Sequence, residues 1–449
     1  MAAQHGADVT VVERDGLGGA CVLYDCVPSK TLISSAGVRV ELHRAPDLGV
    51  TVDRSSAGVE LSTVHSRVKG LALAQSADIH ARLEREGVRI VRGTAAFGEP
   101  TAARTEHVVE VTGIDGNREV LTADVVLVAT GATPRILDTA KPDGERILTW
   151  RQLYDLDQLP EHLVVVGSGV TGAEFVSAYA ELGCRVTLVS SRDRVLPGED
   201  ADAAAVLEEV FTERGVTILK RARAESVERE GDGVVVTLTD GRKVRGSHAL
   251  MTVGSVPNTT DIGLEKVGVA TDSGGFVTVD RVSRTNVPGI YAAGDCTGVL
   301  MLASVAAMQG RIAMWHALGQ GVTPLKLKTV AAAVFTRPEI ATVGISQRAI
   351  DAGEVPARTI MLPLATNPRA KMQGLRRGFV KLFCRPATGV VIGGVVVAPV
   401  ASELILPIAM AVQNNLTVDD LAYTFSVYPS LSGSITEAGR RLMGHDDLD

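Results

Sequence analysis

The sequence predicts an α/β fold built from repeated strand–helix–strand units, and three observations predict it. Leu163-Val-Val-Val, an apolar run of strand length, leads into Gly167-Ser-Gly169-Val-Thr-Gly172-Ala-Glu174 and then a helical pattern. Glycines so placed between a strand and a helix permit a tight turn and let backbone amides approach a pyrophosphate at the helix N-terminus. Next, Ala178–Arg192 overlies Met1–Asp15, with Ala3, Gly6, Val9, Thr10 and Val12 matching, so a helix end running into a strand occurs twice. Finally, Gly289-Ile-Tyr-Ala-Ala reads as a buried strand that delivers Gly294-Asp295. Together they predict two Rossmann-like dinucleotide-binding domains.

Composition narrows the class. A chain of 449 residues is too long for one ordinary core, so two or three domains are expected. Hydrophobic residues make up 45%, a globular balance. The net charge of −7 with no long basic run argues against nucleic acid as a partner. The most apolar window, residues 390–412, is broken by Gly393, Gly394, Pro399, Glu403 and Pro407, so no bilayer span is predicted. No signal-peptide pattern opens the chain. Five scattered cysteines, at 21, 26, 184, 296 and 384, point to a reducing cytoplasm with one special pair rather than a disulfide scaffold. No Cys/His cluster has metal-ligand spacing, so no metal is expected.

Taken in order, Val9–Val12 reads as a strand ending at Glu13, an acid placed where a dinucleotide fold holds a ribose hydroxyl. The next stretch is the centre of the chain: Gly18-Gly19-Ala-Cys21-Val-Leu-Tyr-Asp-Cys26-Val-Pro28-Ser-Lys30. Cys26 stands just before a helix start with proline in the first turn. A helix N-terminus stabilises a thiolate, so Cys26 is expected to be the low-pKa thiol and Cys21 its partner. Residues 34–98 read mainly as helix followed by a returning strand. Val108–Val111 and Val120–Leu121 suggest an antiparallel excursion, and Asp124–Ala129 a buried strand that ends at Thr130-Gly131. In the second dinucleotide unit, the position of a ribose-binding acid is held by Ser190, followed by Ser191 and Arg192. Hydroxyls and a guanidinium there favour a 2′-phosphate, hence NADPH, while NADH stays open. Val234–Leu238 with Asp240-Gly241 predicts a hairpin.

The Cys21–Lys30 segment, with the glycine loop and the Gly294-Asp295 strand, resembles the flavin-dependent pyridine nucleotide-disulfide oxidoreductases. The resemblance runs along nearly the whole chain and is closest to the quinone-reductase branch similar to lipoamide dehydrogenase. It implies an FAD-binding domain at 1–140 and 271–322 and an NAD(P)-binding domain at 141–270. An α+β dimerisation domain would follow at 323–449 and form a homodimer. It implies that the family's opening βα unit, which holds the ADP half of the flavin, is missing before Met1. Thr130 and Gly131 resemble the turn between the flavin and nicotinamide domains. Gly254 lies in a segment like the one lining the nicotinamide pocket. Asp295 would accept ribityl hydroxyls, and Leu302-Ala303 would approach the flavin ring. Glu174 resembles the glutamate that ion-pairs with the lysine of the redox segment, here Lys30.

Family members that reduce disulfides end in His-Pro-Thr-Leu-Ser-Glu. Here the segment reads Tyr428-Pro429-Ser430-Leu431-Ser432-Gly433, with Glu437 four residues beyond, and the nearest histidines are His316 and His445. A phenol with a pKa of about 10 is a poor base near neutrality. Thiol–disulfide exchange needs that base, whereas hydride transfer to a quinone does not. The resemblance therefore implies hydride passing from NAD(P)H through FAD to a quinone-type acceptor. One alternative is a dihydrolipoamide dehydrogenase or other dithiol/disulfide reductase using Cys21 and Cys26, with Tyr428 or Glu437 adapted to proton transfer. The other is a flavin-free, non-enzymatic nucleotide-binding or redox-sensing protein.

Overall fold

The computed structural model describes residues 1–53, 58–100 and 106–443. Two compact units form. One comprises residues 1–31, 63–135 and 254–326, the other residues 32–62, 136–253 and 327–449.

In the first unit Thr10–Glu13 pairs in parallel with Arg89–Phe97, which continues antiparallel through His107–Gly113 to Arg118–Ala123. This meander is the excursion the alternating valines predict. Val126–Val128 pairs in parallel with Ile290–Ala292. Phe97, Val128, Val277, Ile290, Ala292 and Cys296 share one core. Cys296 is fully buried and donates to the carbonyls of Val128 and Ala293, so it is a packing residue. The helix Ala303–Ala317 follows, with Leu302 at its N-cap.

The described residues of the second unit form three sheets. The first is wholly parallel, in the order Thr217–Leu219, Arg185–Val189, His162–Val166, His248–Met251, Ile147–Thr149. Every residue of His162–Val166 is buried, which is why that strand reads as an unbroken apolar run rather than an alternation. Gly233–Leu238 and Lys243–Gly246 form the expected hairpin, joined by Ala224–Glu230. The helix Val170–Leu182 stops at Gly183, whose φ of +98° is the left-handed close of a helix. The helix Ala201–Glu213 starts on Asp200, whose carboxylate accepts from the amides of Asp202 and Ala203.

The third sheet of this unit is antiparallel, in the order Ala331–Val334, Glu339–Gly344, Val391–Ala398, Phe379–Cys384, Arg358–Pro363. Its two central strands, Val391–Ala398 and Phe379–Cys384, are buried throughout. Val380, Leu382, Val396, Ile408, Leu421 and Ile435 fill one core between this sheet and the C-terminal helices. From the end of Val418–Tyr423 to the start of Gly433–Leu442, two of those helices, the chain exposes Tyr423, Phe425, Val427 and Tyr428, at 77%, 103%, 78% and 81%. Among the described residues no helix is long and apolar enough to cross a membrane.

Candidate functional site

Two glycines open the redox segment. Gly18 and Gly19 have φ of +96° and +57°, and a Cβ on Gly18 would strike the Val22 side chain, so the turn is built for glycine. A short helix, Gly19–Leu23, presents Cys21, and the next helix begins at Cys26 and runs to Arg44. Both thiols are half-buried and free, and they are hydrogen-bonded to each other. The pull of that bond holds the Cys21 pKa below the ordinary thiol value, against burial and the charge of Asp25. Cys26 is pushed well above it, because it gives the hydrogen bond, is desolvated and faces the charge on Cys21. This reverses the expected order of the two thiols. Proximity to a helix start is a weaker influence than which sulfur donates. Lys30 lies one turn into the helix and favours thiolate at both positions; its Nζ donates to Ser29 Oγ at 3.3 Å.

The same unit places Gly294 and Asp295 at the end of the buried strand. Gly294 has φ +81° and ψ −157°, a region open essentially to glycine alone. Its amide donates to Gln309 Oε1 at 2.9 Å, and Gln309 is 1% exposed. Burial, then the charge of Asp25, push the Asp295 carboxyl up from the usual carboxylate range. Among the described residues no hydrogen bond reaches that carboxylate. A desolvated acceptor without a donor fits the hydroxyls of a flavin's ribityl chain. Thr130 and Gly131 follow the adjoining strand; their carbonyls accept from Asn258 Nδ2 and N, each at 2.9 Å. Gly254 turns with φ +95°, and its carbonyl accepts from Arg135. Glu13 folds onto its own turn, with Oε1 accepting from the amides of Asp15 and Gly16 at 2.8 and 3.3 Å.

The glycine loop of the second unit forms as its spacing predicts. Gly167 has φ +116°, and a Cβ there would strike the Thr252 carbonyl; a Cβ on Gly172 would strike the Gly167 carbonyl. At Gly169 nothing stands within 4 Å of a Cβ. That open side lies at the N-cap of Val170–Leu182, where a helix N-terminus favours an anion such as a pyrophosphate. Glu174, 4% exposed, accepts from the Phe335 amide at 2.9 Å.

At the end of the next strand, Ser190 is fully buried. Its Oγ is 2.7 Å from Ser168 Oγ and accepts from the Arg192 amide at 3.1 Å. Ser190 therefore shapes the turn, and the exposed groups that follow it are Ser191, Arg192 and Asp193.

In the C-terminal segment Tyr428 is 81% exposed. Glu437 is not a lone surface acid: it pairs with Arg440 and Arg441, each at 2.8 Å, and is held at about 2 by those guanidinium groups. His445 lies outside the described residues. A cavity of about 470 Å³ opens one helix length from the glycine loop, lined by Arg39, His43, Gly183, Arg185 and Arg214 among others. Its arginines bind the Glu181 carbonyl, His162 and the Glu181 carboxylate, so they serve helix ends and buried partners. Among the described residues no group of three or more His, Cys, Asp or Glu could hold a metal.

Residues 1–310 match the model of the pyridine nucleotide-disulphide oxidoreductases. The chain belongs to that family. Residues 330–439 match its dimerisation domain, through which these proteins assemble as homodimers. An "NAD(P)H dehydrogenase (quinone)" of Mycobacterium tuberculosis is 67% identical, over 98% of this chain and 90% of the relative. A dihydrolipoyl dehydrogenase of Haloferax volcanii is 34% identical, over 99% of this chain and 93% of the relative. The crystal structure of LpdA from Mycobacterium tuberculosis superposes with a TM-score of 0.95 at 66% identity, covering 99% of this chain and 96% of that one. RclA of Escherichia coli, a flavoprotein disulfide reductase, shares the fold with a TM-score of 0.84 at 24% identity, covering 98% and 95%.

These matches correct one expectation. The family model matches from residue 1, and the relatives cover 98–99% of this chain. The reading of a missing flavin-binding unit is withdrawn, and the flavin-free, non-enzymatic alternative that rested on it goes too. The first strand is not an orphan either, being paired residue for residue from Thr10 to Glu13. The chain is a flavin-dependent hydride-transfer oxidoreductase of this family, using FAD and NAD(P)H.

Proposed function

We propose that this enzyme oxidises NAD(P)H and reduces a quinone-type acceptor to the hydroquinone. The observation that carries the proposal is the state of the C-terminal segment. Tyr428 stands where the resemblance expects a histidine, and Glu437 is bound by two arginines. A carboxyl held at about 2 stays ionised at neutral pH and neither gives nor takes a proton there. Two-electron reduction of a quinone needs no such shuttle at sulfur. The name carried by the 67% identical relative supports the same acceptor.

The roles follow from the residues. Gly167, Gly169 and Gly172 cradle the dinucleotide pyrophosphate, Ser191 and Arg192 meet its ribose end, and Gly254 lines the nicotinamide site. Asp295 receives ribityl hydroxyls, with Gly18, Gly19, Thr130, Gly131, Leu302 and Ala303 shaping the flavin site and Glu13 its adenosine ribose. Lys30 supplies positive charge beside the two thiols, and Glu174 is a buried glutamate on the helix of the glycine loop. Bound FAD supplies the two-electron acceptor that takes hydride from NAD(P)H. The three-domain division at residues 140, 270 and 322 belongs to this reading, as does a cytoplasmic location.

A second reading has its own support. Cys21 and Cys26 are hydrogen-bonded, and that bond draws the Cys21 thiol below its ordinary pKa, toward the thiolate from which a dithiol reduces a disulfide. Several curated relatives, 31–34% identical, are dihydrolipoyl dehydrogenases, which gives this reading the broader support among the relatives. Steady-state turnover with menadione and with lipoamide separates the two. Fast menadione reduction with little lipoamide turnover is expected. Lipoamide turnover equal to or above that with menadione overturns the quinone reading in favour of the second.

A further inference from the structure

The stretch from Ser190 to Asp200 carries the exposed Ser191 and Arg192 and has no helix or strand of its own. Its shape is set by fastenings. Near its start, Ser190 Oγ meets Ser168 Oγ at 2.7 Å. In its middle, the Leu196 amide donates to the Ser168 carbonyl, and the Val195 amide to Glu208 Oε1, both at 2.8 Å. Leu196 holds φ +50°, a left-handed conformation that costs free energy in a leucine and persists only where its surroundings impose it.

The last fastening comes from elsewhere in the sequence. Lys381, on the strand Phe379–Cys384, has a side chain only 3% exposed. Its Nζ donates to Asp200 Oδ2 and Oδ1 at 2.8 and 3.0 Å, and to Asp202 Oδ2 at 2.6 Å. The Asp200 side chain is equally buried, while that of Asp202 is 57% exposed. Asp200 Oδ1 also caps the helix Ala201–Glu213. One buried carboxylate thus ends the loop, starts the helix and takes the ammonium of the C-terminal sheet.

We infer that Lys381 is a positioning residue for dinucleotide binding: by neutralising buried Asp200 it fixes the end of the ribose-side loop that carries Ser191 and Arg192. The inference rests on the dinucleotide reading of that loop. Without the ammonium, Asp200 would be a buried charge held only by amides. The carboxylate would turn toward water and draw the loop end with it. The C-terminal sheet, matched by the dimerisation domain, then contributes to cofactor affinity without touching the cofactor.

The test uses the FAD-loaded homodimer and two variants, Lys381→Met and Lys381→Met/Asp200→Asn. In the double variant both buried charges are gone, and asparagine still caps the helix. The expected result is a KM for NAD(P)H raised about tenfold in Lys381→Met and returned toward wild type in the double variant, with kcat and the KM for menadione near wild type throughout, a split that marks lost binding. Equilibrium titration with the oxidised dinucleotide is expected to show the same loss. An unchanged KM in Lys381→Met overturns the inference, and so does a KM raised equally in both variants, since the buried charge on Asp200 would then not be what moves the loop. Failure of both variants to fold also overturns it, because the triad would be an element of folding. A wild-type enzyme that turns over no quinone sinks the proposed acceptor instead; the titration still reads the loop.

Discussion

Cys21 and Cys26 divide one proton unevenly. The hydrogen bond from Cys26 and the charge of Lys30 draw the Cys21 thiol below its ordinary pKa. Near neutral pH, iodoacetamide is expected to label Cys21 before Cys26, as peptide mapping of the reduced protein would show. Cys21→Ser and Cys26→Ser test what the pair does: on the quinone reading, menadione turnover stays within about threefold of wild type while any disulfide reduction falls by about a hundredfold or more. A parallel loss of both activities would mean that electrons reach every acceptor through sulfur. Tyr428→His supplies the missing base. It is expected to raise lipoamide turnover by about a hundredfold, the low end of the usual range for a positioned acid–base group, with little change for menadione.

At the scale of single elements, the glycine loop separates folding from binding. Gly169→Ala adds a methyl to open space, so thermal stability is expected to hold while NAD(P)H affinity drops about tenfold or more. Gly172→Ala drives a Cβ into the Gly167 carbonyl and is expected to lower stability as well; calorimetry beside dinucleotide titration checks the contrast. The strand His248–Met251 carries a pH response of its own. Burial, then the charge of Arg146, hold His248 down at about 4, with Arg146 Nη1 3.1 Å from its Nε2 and Ser247 Oγ 3.0 Å from its Nδ1. The unfolded histidine protonates near 6.5, so the unfolded state takes up the proton first as pH falls. The stability this group contributes is complete above about 6.5 and is lost as pH drops toward 4. The melting temperature of wild type is therefore expected to fall between pH 7 and 4.5 more steeply than that of His248→Gln. Identical slopes would rule out this histidine as the source.

For the whole molecule, the matched dimerisation domain and the exposed aromatic segment point the same way. Phe425 and Val427 leave large apolar side chains in solvent, next to a core that is otherwise closed. Phe425→Asp is expected to weaken the homodimer by about 2 kcal/mol or more if this residue is a central contact. Sedimentation across a concentration series reads the change; an unshifted equilibrium would place the contact elsewhere.

The chain's local pattern was sufficient for the glycine loop, the Gly294-Asp295 strand end and the Cys21–Lys30 segment. Each is a strand–turn–helix or turn–helix unit whose shape follows from short-range sterics. Glycines must stand where φ is positive, and a parallel strand buried on both faces must be apolar throughout. The order of the two thiol pKa values, the burial of Ser190, and the ties of Glu437 to Arg440 and Arg441 were not legible that way. Each depends on which neighbour a side chain faces after packing. The bond from Lys381 to Asp200 crosses 181 residues, and nothing near either position signals the other. Such a partnership exists only when the C-terminal sheet closes on the end of the loop, because desolvation gives a charge its strong claim on a partner only once the fold has excluded water.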